Sequence, residues 1–185
     1  MKILFYDMGS YTYQDFLYYL EKAGHTCKTI FYHFPDKYED DFYKMAIQHG
    51  FNKIIIQKGT GEYIPKNYTK YEKDINVQVS TILKNFENVI KSSELIISHG
   101  GAGIILESLR NKKKVIVCVN DLLMDNHQVE LASSLDKEGY VRYAKKLENI
   151  TKEVEDVLNG KIKIKDYPEF NYEAIPNVIY SMIEN

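Results

Sequence analysis

Tryptophan is absent, prolines number four, and the only cysteines are Cys27 and Cys118. Two cysteines cannot staple a chain of 185 residues into a disulfide scaffold. Cys118 also lies inside the apolar run Val115–Val119, where a buried free thiol is the default, so a reducing compartment follows. No apolar stretch approaches the roughly 18 residues of a membrane span, and the apolar part of Met1–Asp7 is too short for the core of a signal peptide. The expectation is a cytosolic protein whose membrane contact is peripheral or made through a partner. An excess of one charge is missing as well: 24 Lys and Arg stand against 26 Asp and Glu, a net charge of −2. With no basic block interleaved with aromatics, nucleic acid is excluded as a partner. No His, Cys, Asp and Glu cluster has metal-ligand spacing, and the 16 tyrosines are spread as a compositional habit rather than gathered as a site. Internal repeats and low-complexity linkers are also lacking, so residues 1–185 read as one domain.

What is present alternates strands with helices. Lys2–Tyr6 is a short β-rich run ending at Asp7-Met-Gly-Ser10, and Gln14–Ala23 carries Phe16, Leu17, Leu20 and Ala23 at helical spacing before Gly24. Thr26–Phe34 reads as a strand, Asp40–Gln48 as a helix stopped by Gly50, and Phe51–Gln57 as a buried strand around Ile54-Ile55-Ile56. Pro65–Lys73 is polar and reads as an exposed loop. Ile75–Ile82 alternates as a strand, and Leu83–Ser92 places Leu83, Phe86, Val89 and Ile90 on one helical face. Val129–Leu135 is a helix ending near Gly139, Tyr140–Ala144 a last strand, Leu147–Leu158 a helix, and Ala174–Ile183 a terminal helix with Ile175, Val178, Ile179 and Met182 on one face. That last face suits either the chain's own sheet or a docking partner. Such alternation predicts an α/β, Rossmann-like fold: a parallel sheet covered by helices on both faces, with ligands at the carboxyl ends of the strands.

Glu94 to Gln128 organises the chain. The apolar run Leu95–Ser98 leads through His99, Gly100, Gly101, Ala102 and Gly103 into a helical segment, Ile104–Arg110. A strand, tight turn and helix in that order present unpaired backbone N–H groups and a helix's positive end to whatever lies above the strand, a place that suits phosphate. Gly101 is expected to keep the backbone open to such a ligand and to use positive φ. Glu107, one turn into the helix, is a carboxylate suited to a ribose diol. A second apolar run, Val115–Val119, ends in Asn120-Asp121 and a polar loop with Asp125, Asn126, His127 and Gln128, whose amide and imidazole groups suit sugar hydroxyls. Asp125 fits either an N-cap for the Val129 helix or a sugar contact, and Gly9-Ser10 either a plain turn or a second phosphate cradle.

The motifs Ser98-His-Gly-Gly-Ala-Gly103, Glu107 and Val117-Cys-Val-Asn-Asp-Leu-Leu-Met-Asp-Asn-His-Gln128 resemble the asparagine-linked glycosylation protein 13 family. That family is the soluble catalytic subunit of the enzyme adding the second N-acetylglucosamine to dolichol diphosphate N-acetylglucosamine. It is similar to the donor-binding half of a bacterial N-acetylglucosaminyltransferase, and the resemblance runs from about Gly50 to about Val141. It implies half of a GT-B glycosyltransferase, with UDP-N-acetylglucosamine as donor substrate and no separate cofactor. By position, His99 and the Gly100–Gly103 amides, Ala102 included, would meet the diphosphate, Glu107 the ribose, and Asn126, His127 and Gln128 the sugar. Gly9 and Ser10 match the family's first-loop position.

The resemblance also implies a membrane-anchored acceptor-binding glycosyltransferase subunit as partner and a lipid diphosphate sugar as acceptor. It places the chain on the cytosolic face of the endoplasmic reticulum through that partner. No catalytic base is identified, and the family's architecture puts it on the partner half. His25–Tyr38 departs from the family as an addition. Two other readings share the motifs: the soluble subunit of a two-component polysaccharide galactosyl- or glucosyltransferase, and a non-catalytic nucleotide-sugar-binding regulatory subunit.

Overall fold

The computed structural model describes residues 3–7, 36–59, 65, 67–119 and 126–169. Expectations for Gly9, Ser10, the Gln14–Ala23 helix, the Thr26–Phe34 strand, Asn120–Asp125 and the terminal helix over 174–183 lie outside those residues. A six-stranded sheet forms the centre: β1 (Ile3–Asp7), β2 (Lys53–Gln57), β3 (Asn76–Ser80), β4 (Leu95–Ser98), β5 (Lys114–Val117) and β6 (Arg142–Tyr143). The helices are α1 (Asp36–Gln48), α2 (Phe86–Ser92), α3 (Ala102–Arg110), α4 (Asn126–Glu138) and α5 (Ile150–Leu158). The strand order is β3-β2-β1-β4-β5-β6 and every neighbouring pair is parallel. After β3 the chain crosses back past β1 to lay down β4, so the strand order reverses between β1 and β4, where Leu4 pairs with Leu95 and Tyr6 with Ile97.

The apolar runs are continuous rather than alternating because both faces are covered. Successive side chains point to opposite faces of a pleated strand. Leu4, Ile54, Ile56, Leu95, Ile97 and Ile116 therefore pack on one side with Phe42, Tyr43, Met45 and Ala46 of α1 and Ile150, Val154 and Val157 of α5. Ile55, Ile96, Val115 and Val117 pack on the other with Ile90 of α2, Ile104, Ile105 and Leu109 of α3, and Ala132 of α4. Gly50 ends α1 as its position in the sequence predicts. At φ 76° it turns the chain so that the Phe51 N–H reaches the Ala46 carbonyl at 2.9 Å, and the Phe51 side chain is buried. Gly139, φ 82°, ends α4 in the same way, with the Tyr140 N–H on the Leu135 carbonyl.

Two details differ from the sequence reading. The stretch from Pro65 to Lys73 is no exposed loop: Asn67–Tyr71 is a 3₁₀ turn, Pro65 and Asn67 are buried, and Tyr68 and Tyr71 pack on the core. Its polarity is satisfied by the buried Glu39 carboxylate, which accepts the Asn67 N–H at 3.2 Å and the Tyr43 hydroxyl at 3.1 Å. Helix α4 begins at Asn126 rather than at Val129, because its first turn is polar and apolar spacing cannot register it. Beyond α5, the Lys161–Lys165 connection is held to the body of the fold, with Ile162 and Ile164 packed on the core. Among the described residues no helix is long and apolar enough to cross a membrane.

Asp156 on α5 anchors that last connection, accepting Lys152 Nζ at 2.6 Å and Lys161 Nζ at 3.0 Å. These two ammonium groups, Lys152 first, hold its carboxyl below the usual carboxylate range. A lowered folded-state pKa stabilises the fold above the unfolded value, about 3.9, and that contribution disappears as pH falls through the lowered value. Asp156→Asn should therefore unfold at lower urea than the wild type at pH 7. The gap between the two midpoints should narrow as pH falls below about 3.9 and through the lowered value, which urea titrations over a series of acid pH values will show.

Candidate active site at the carboxyl edge of the sheet

In an open parallel sheet the crevice lies outside the carboxyl ends of the strands where their order reverses. Here that is the edge between β1 and β4, and the β4–α3 turn stands on it. Ser98, fully buried at the end of β4, folds the turn back: its Oγ accepts the Gly100 N–H at 3.1 Å, while its carbonyl accepts the Cys118 N–H at 2.8 Å. The sequence reading took Ser98 only as the end of an apolar strand. A buried hydroxyl two residues ahead of a glycine is the signal that it starts a turn.

Gly100 is required twice over. Its φ is 109°, a conformation that side chains rarely adopt, and a Cβ there would stand 3.0 Å from Val119 Cγ2 and 3.2 Å from Gln128 Cβ. Positive φ thus falls on Gly100 and not on Gly101, which caps α3 in extended conformation at φ −62° and ψ 122°. The His99 ring lies across Gly101, with Cε1 3.2 Å and Nε2 3.3 Å from where a Cβ would be. The turn with its His99 ring, Val119 at the end of the β5 run and Gln128 from the first turn of α4 therefore meet, although they come from three separate points of the sequence.

Helix α3 receives no side-chain cap, and neither α3 nor α4 has an acidic residue in its first turn. The first N–H groups of a helix have no intrahelical acceptor, and its N-terminus carries roughly half a positive charge. Ala102 and Gly103 are exposed, and no described residue stands within 4 Å of where a Gly103 Cβ would be. Among the described residues, no side chain covers the outer side of Gly103.

Glu107 follows Gly103 by four residues on the same stripe of α3, about 6 Å along the axis. It is partly buried, with Oε1 accepting Asn111 Nδ2 at 2.9 Å and Oε2 lying 3.8 Å from Arg110. Its side chain is 32% exposed, so part of the carboxylate is open to a ligand. Gln128 is half-buried against the turn, whereas the His127 side chain is 86% exposed, with Nδ1 3.9 Å from Glu130. The Asn126 backbone opens α4. Among the described residues no three His, Cys, Asp or Glu side chains gather in a metal-holding group.

Gly100→Ala should lower stability by about 1–3 kcal/mol, because the strained backbone and the contact with Val119 add. Gly103→Ala should leave stability unchanged or raise it by up to about 1 kcal/mol. Urea unfolding of both variants checks the contrast.

Known proteins resemble this arrangement at the level of sequence and of fold. The family model of the glycosyltransferase family 28 C-terminal domain matches residues 29–173. The human UDP-N-acetylglucosamine transferase subunit ALG13 is 37% identical over 94 residues, a match covering 51% of this chain and 8% of the human protein. The Saccharomyces cerevisiae protein of the same name is 34% identical over 131 residues, covering 55% of this chain and 65% of the yeast one. The chain thus spans only part of the curated relatives it matches. Among solved structures, the NMR structure of ALG13 superposes with a TM-score of 0.52 at 22% identity, covering 100% of this chain and 96% of that one. The UDP-GlcNAc 2-epimerase of Neisseria meningitidis, solved with UDP-GlcNAc bound, gives 0.55 at 14% identity, over 100% of this chain and 44% of the epimerase. At such identities the structural likenesses establish the α/β Rossmann-like fold. With residues 29–173 inside the family match, the chain belongs to the glycosyltransferase family 28 C-terminal domain family.

Proposed function

We propose that this chain is the donor-binding subunit of an inverting hexosyltransferase that takes UDP-N-acetylglucosamine. With a membrane-anchored partner it transfers N-acetylglucosamine to N-acetylglucosaminyl-diphosphodolichol on the cytosolic face of the endoplasmic reticulum. The observation that carries this reading is the first turn of α3, uncapped, free of acids and open at Gly103. The names of its relatives, transferase subunits for UDP-N-acetylglucosamine, support the donor.

In the reaction the acceptor's 4-hydroxyl oxygen bonds to the anomeric carbon as the bond from that carbon to the β-phosphate oxygen breaks. UDP leaves with the electron pair, and the hydroxyl proton passes to a base that the partner supplies. Charge grows on the departing diphosphate, and preorganised N–H donors at a helix end stabilise it without reorganising. Gly100–Gly103 and His99 take that role, joined by Gly9 and Ser10 across the strand-order reversal. Glu107 holds the ribose diol, and Asn126, His127 and Gln128 the sugar.

Calorimetric titration of UDP-N-acetylglucosamine, UDP-glucose and UDP-galactose into the purified chain tests the donor. Sugar transfer to a lipid diphosphate acceptor, with and without the membrane subunit, tests the reaction. Preference for UDP-galactose would assign the chain to polysaccharide synthesis, and donor binding with no partner-dependent transfer would make it a regulatory subunit. Glu107→Ala should weaken UDP binding by about ten- to a hundredfold, the worth of a charged hydrogen-bonding pair at roughly 1.5–3 kcal/mol. Gly103→Ala, with its fold intact, should also bind the donor more weakly because its methyl group occupies the diphosphate's approach. Unchanged affinity in both variants would dismiss this site.

A further inference from the structure

We infer that Asn111 is a positioning residue, whose amide fixes the Glu107 carboxylate in the orientation that reads the ribose diol of a bound nucleoside diphosphate. The inference rests on the reading that Glu107 meets the ribose. Asn111 closes the C-terminus of α3, and its Nδ2 stands 2.8 Å from the Glu107 carbonyl and 2.9 Å from Glu107 Oε1. Both neighbours are acceptors, so only the NH₂ side of the amide can face them. One donor group therefore ties the Glu107 side chain to the Glu107 backbone.

Nothing else described does this as well. Arg110 NH1 is 3.8 Å from Oε2, too far for a hydrogen bond, and its own side chain is 41% exposed. A glutamate on a helix surface otherwise samples several rotamers, and a ligand that needs two acceptor oxygens side by side must select one of them. With Oε1 fixed by Asn111, one lone pair of Oε1 and those of Oε2 stay available to a pair of hydroxyls. Gly103, Glu107 and Asn111 follow one another at four-residue steps along α3. The open amide turn, the carboxylate and its clamp thus lie along one side of the helix.

The test compares UDP with 2′-deoxy-UDP, which keeps the diphosphate and base but lacks one hydroxyl of the diol. Binding of both is measured by calorimetry to the wild type, Glu107→Ala, Asn111→Leu, Asn111→Asp and the double variant Glu107→Ala/Asn111→Leu, each with its melting temperature. Asn111→Leu should weaken UDP by about tenfold while changing 2′-deoxy-UDP by less than about threefold, so that discrimination between the two collapses. The double variant should bind UDP no worse than Glu107→Ala alone, since a clamp without its carboxylate has nothing to position. Should Asn111→Leu fail to fold, Asn111→Asp carries the measurement, because it keeps the shape and replaces the donor with a repelling oxygen. If Asn111 variants lower the melting temperature while keeping the wild-type preference for UDP, or if their loss adds in full to that of Glu107→Ala, Asn111 is only a helix cap and the inference is wrong. Unchanged UDP affinity in Glu107→Ala would instead overturn the ribose assignment and the clamp together, an outcome read from that variant alone.

Discussion

A parallel sheet buried on both faces leaves polar chemistry only its ends. In this chain Leu95, Ile96, Ile97 and Ser98 are all buried, and so are Val115 to Val119. Among the described residues, no side chain of β4, nor of β5 after Lys114, is free to meet a ligand from either face. Every functional group must stand on the connections, and the right-handed crossovers of a parallel sheet put all strand-to-helix connections at one edge. The reversal of strand order between β1 and β4 then separates two of those connections and opens the crevice between them.

The β4–α3 connection is short, and its shortness transfers the constraint to single residues. The chain must leave a buried strand and start a helix within three residues while passing beneath Val119 and beside Gln128. Gly100 meets this with a backbone that no side chain could follow, and Ser98 supplies an acceptor for the Gly100 N–H. The same closeness that forbids a Cβ at Gly100 brings α4's first turn against the turn that starts α3. Two helix N-termini thus neighbour each other at one edge, and their partial positive charges reinforce one another.

Much of this was legible in the sequence, for reasons that particular residues make plain. The runs Ile54–Ile56, Leu95–Ile97 and Val115–Val117 are β-branched or leucine throughout, which fits strands covered on both sides. The Gly50 and Gly139 stops mark helix ends because left-handed backbone favours glycine. The strand–glycine–helix order was likewise visible, and it set the turn correctly on β4 and α3. The first turn of α4 was not visible, since Asn126, His127 and Gln128 contribute no apolar spacing and look like loop. Nor was the burial of Asn67, which depends on Glu39 from a distant helix. The assignment of positive φ to Gly101 failed because adjacent glycines are equivalent in sequence. Only the positions of Val119 and Ser98 decide which of them must bend. Glu107 was recognised by type and position, but its tether to Asn111 is a three-dimensional fact of the last helical turn.

On the proposed reading, a site for a departing diphosphate would face a conflict that the distribution of charge in this edge answers. The ribose calls for a carboxylate, yet a carboxylate near the phosphates would repel them and weaken the donors that stabilise them. The first turns of α3 and α4 carry no acid at all. The acid that is present, Glu107, sits about 6 Å farther along the axis than Gly103, with Asn111 bonded to it and Arg110 nearby. With acceptor and open amides separated along the axis, one helix would on that reading serve both groups with opposite electrostatics. The helix dipole works in the same sense: its positive end lies at the turn, and Arg110 and the Asn111 amide sit at the negative end, where donors and cations are favoured. A single short helix thus sorts acceptor from donor along its length. On the proposed reading, the glycines at its start are the condition for a ligand to lie alongside it.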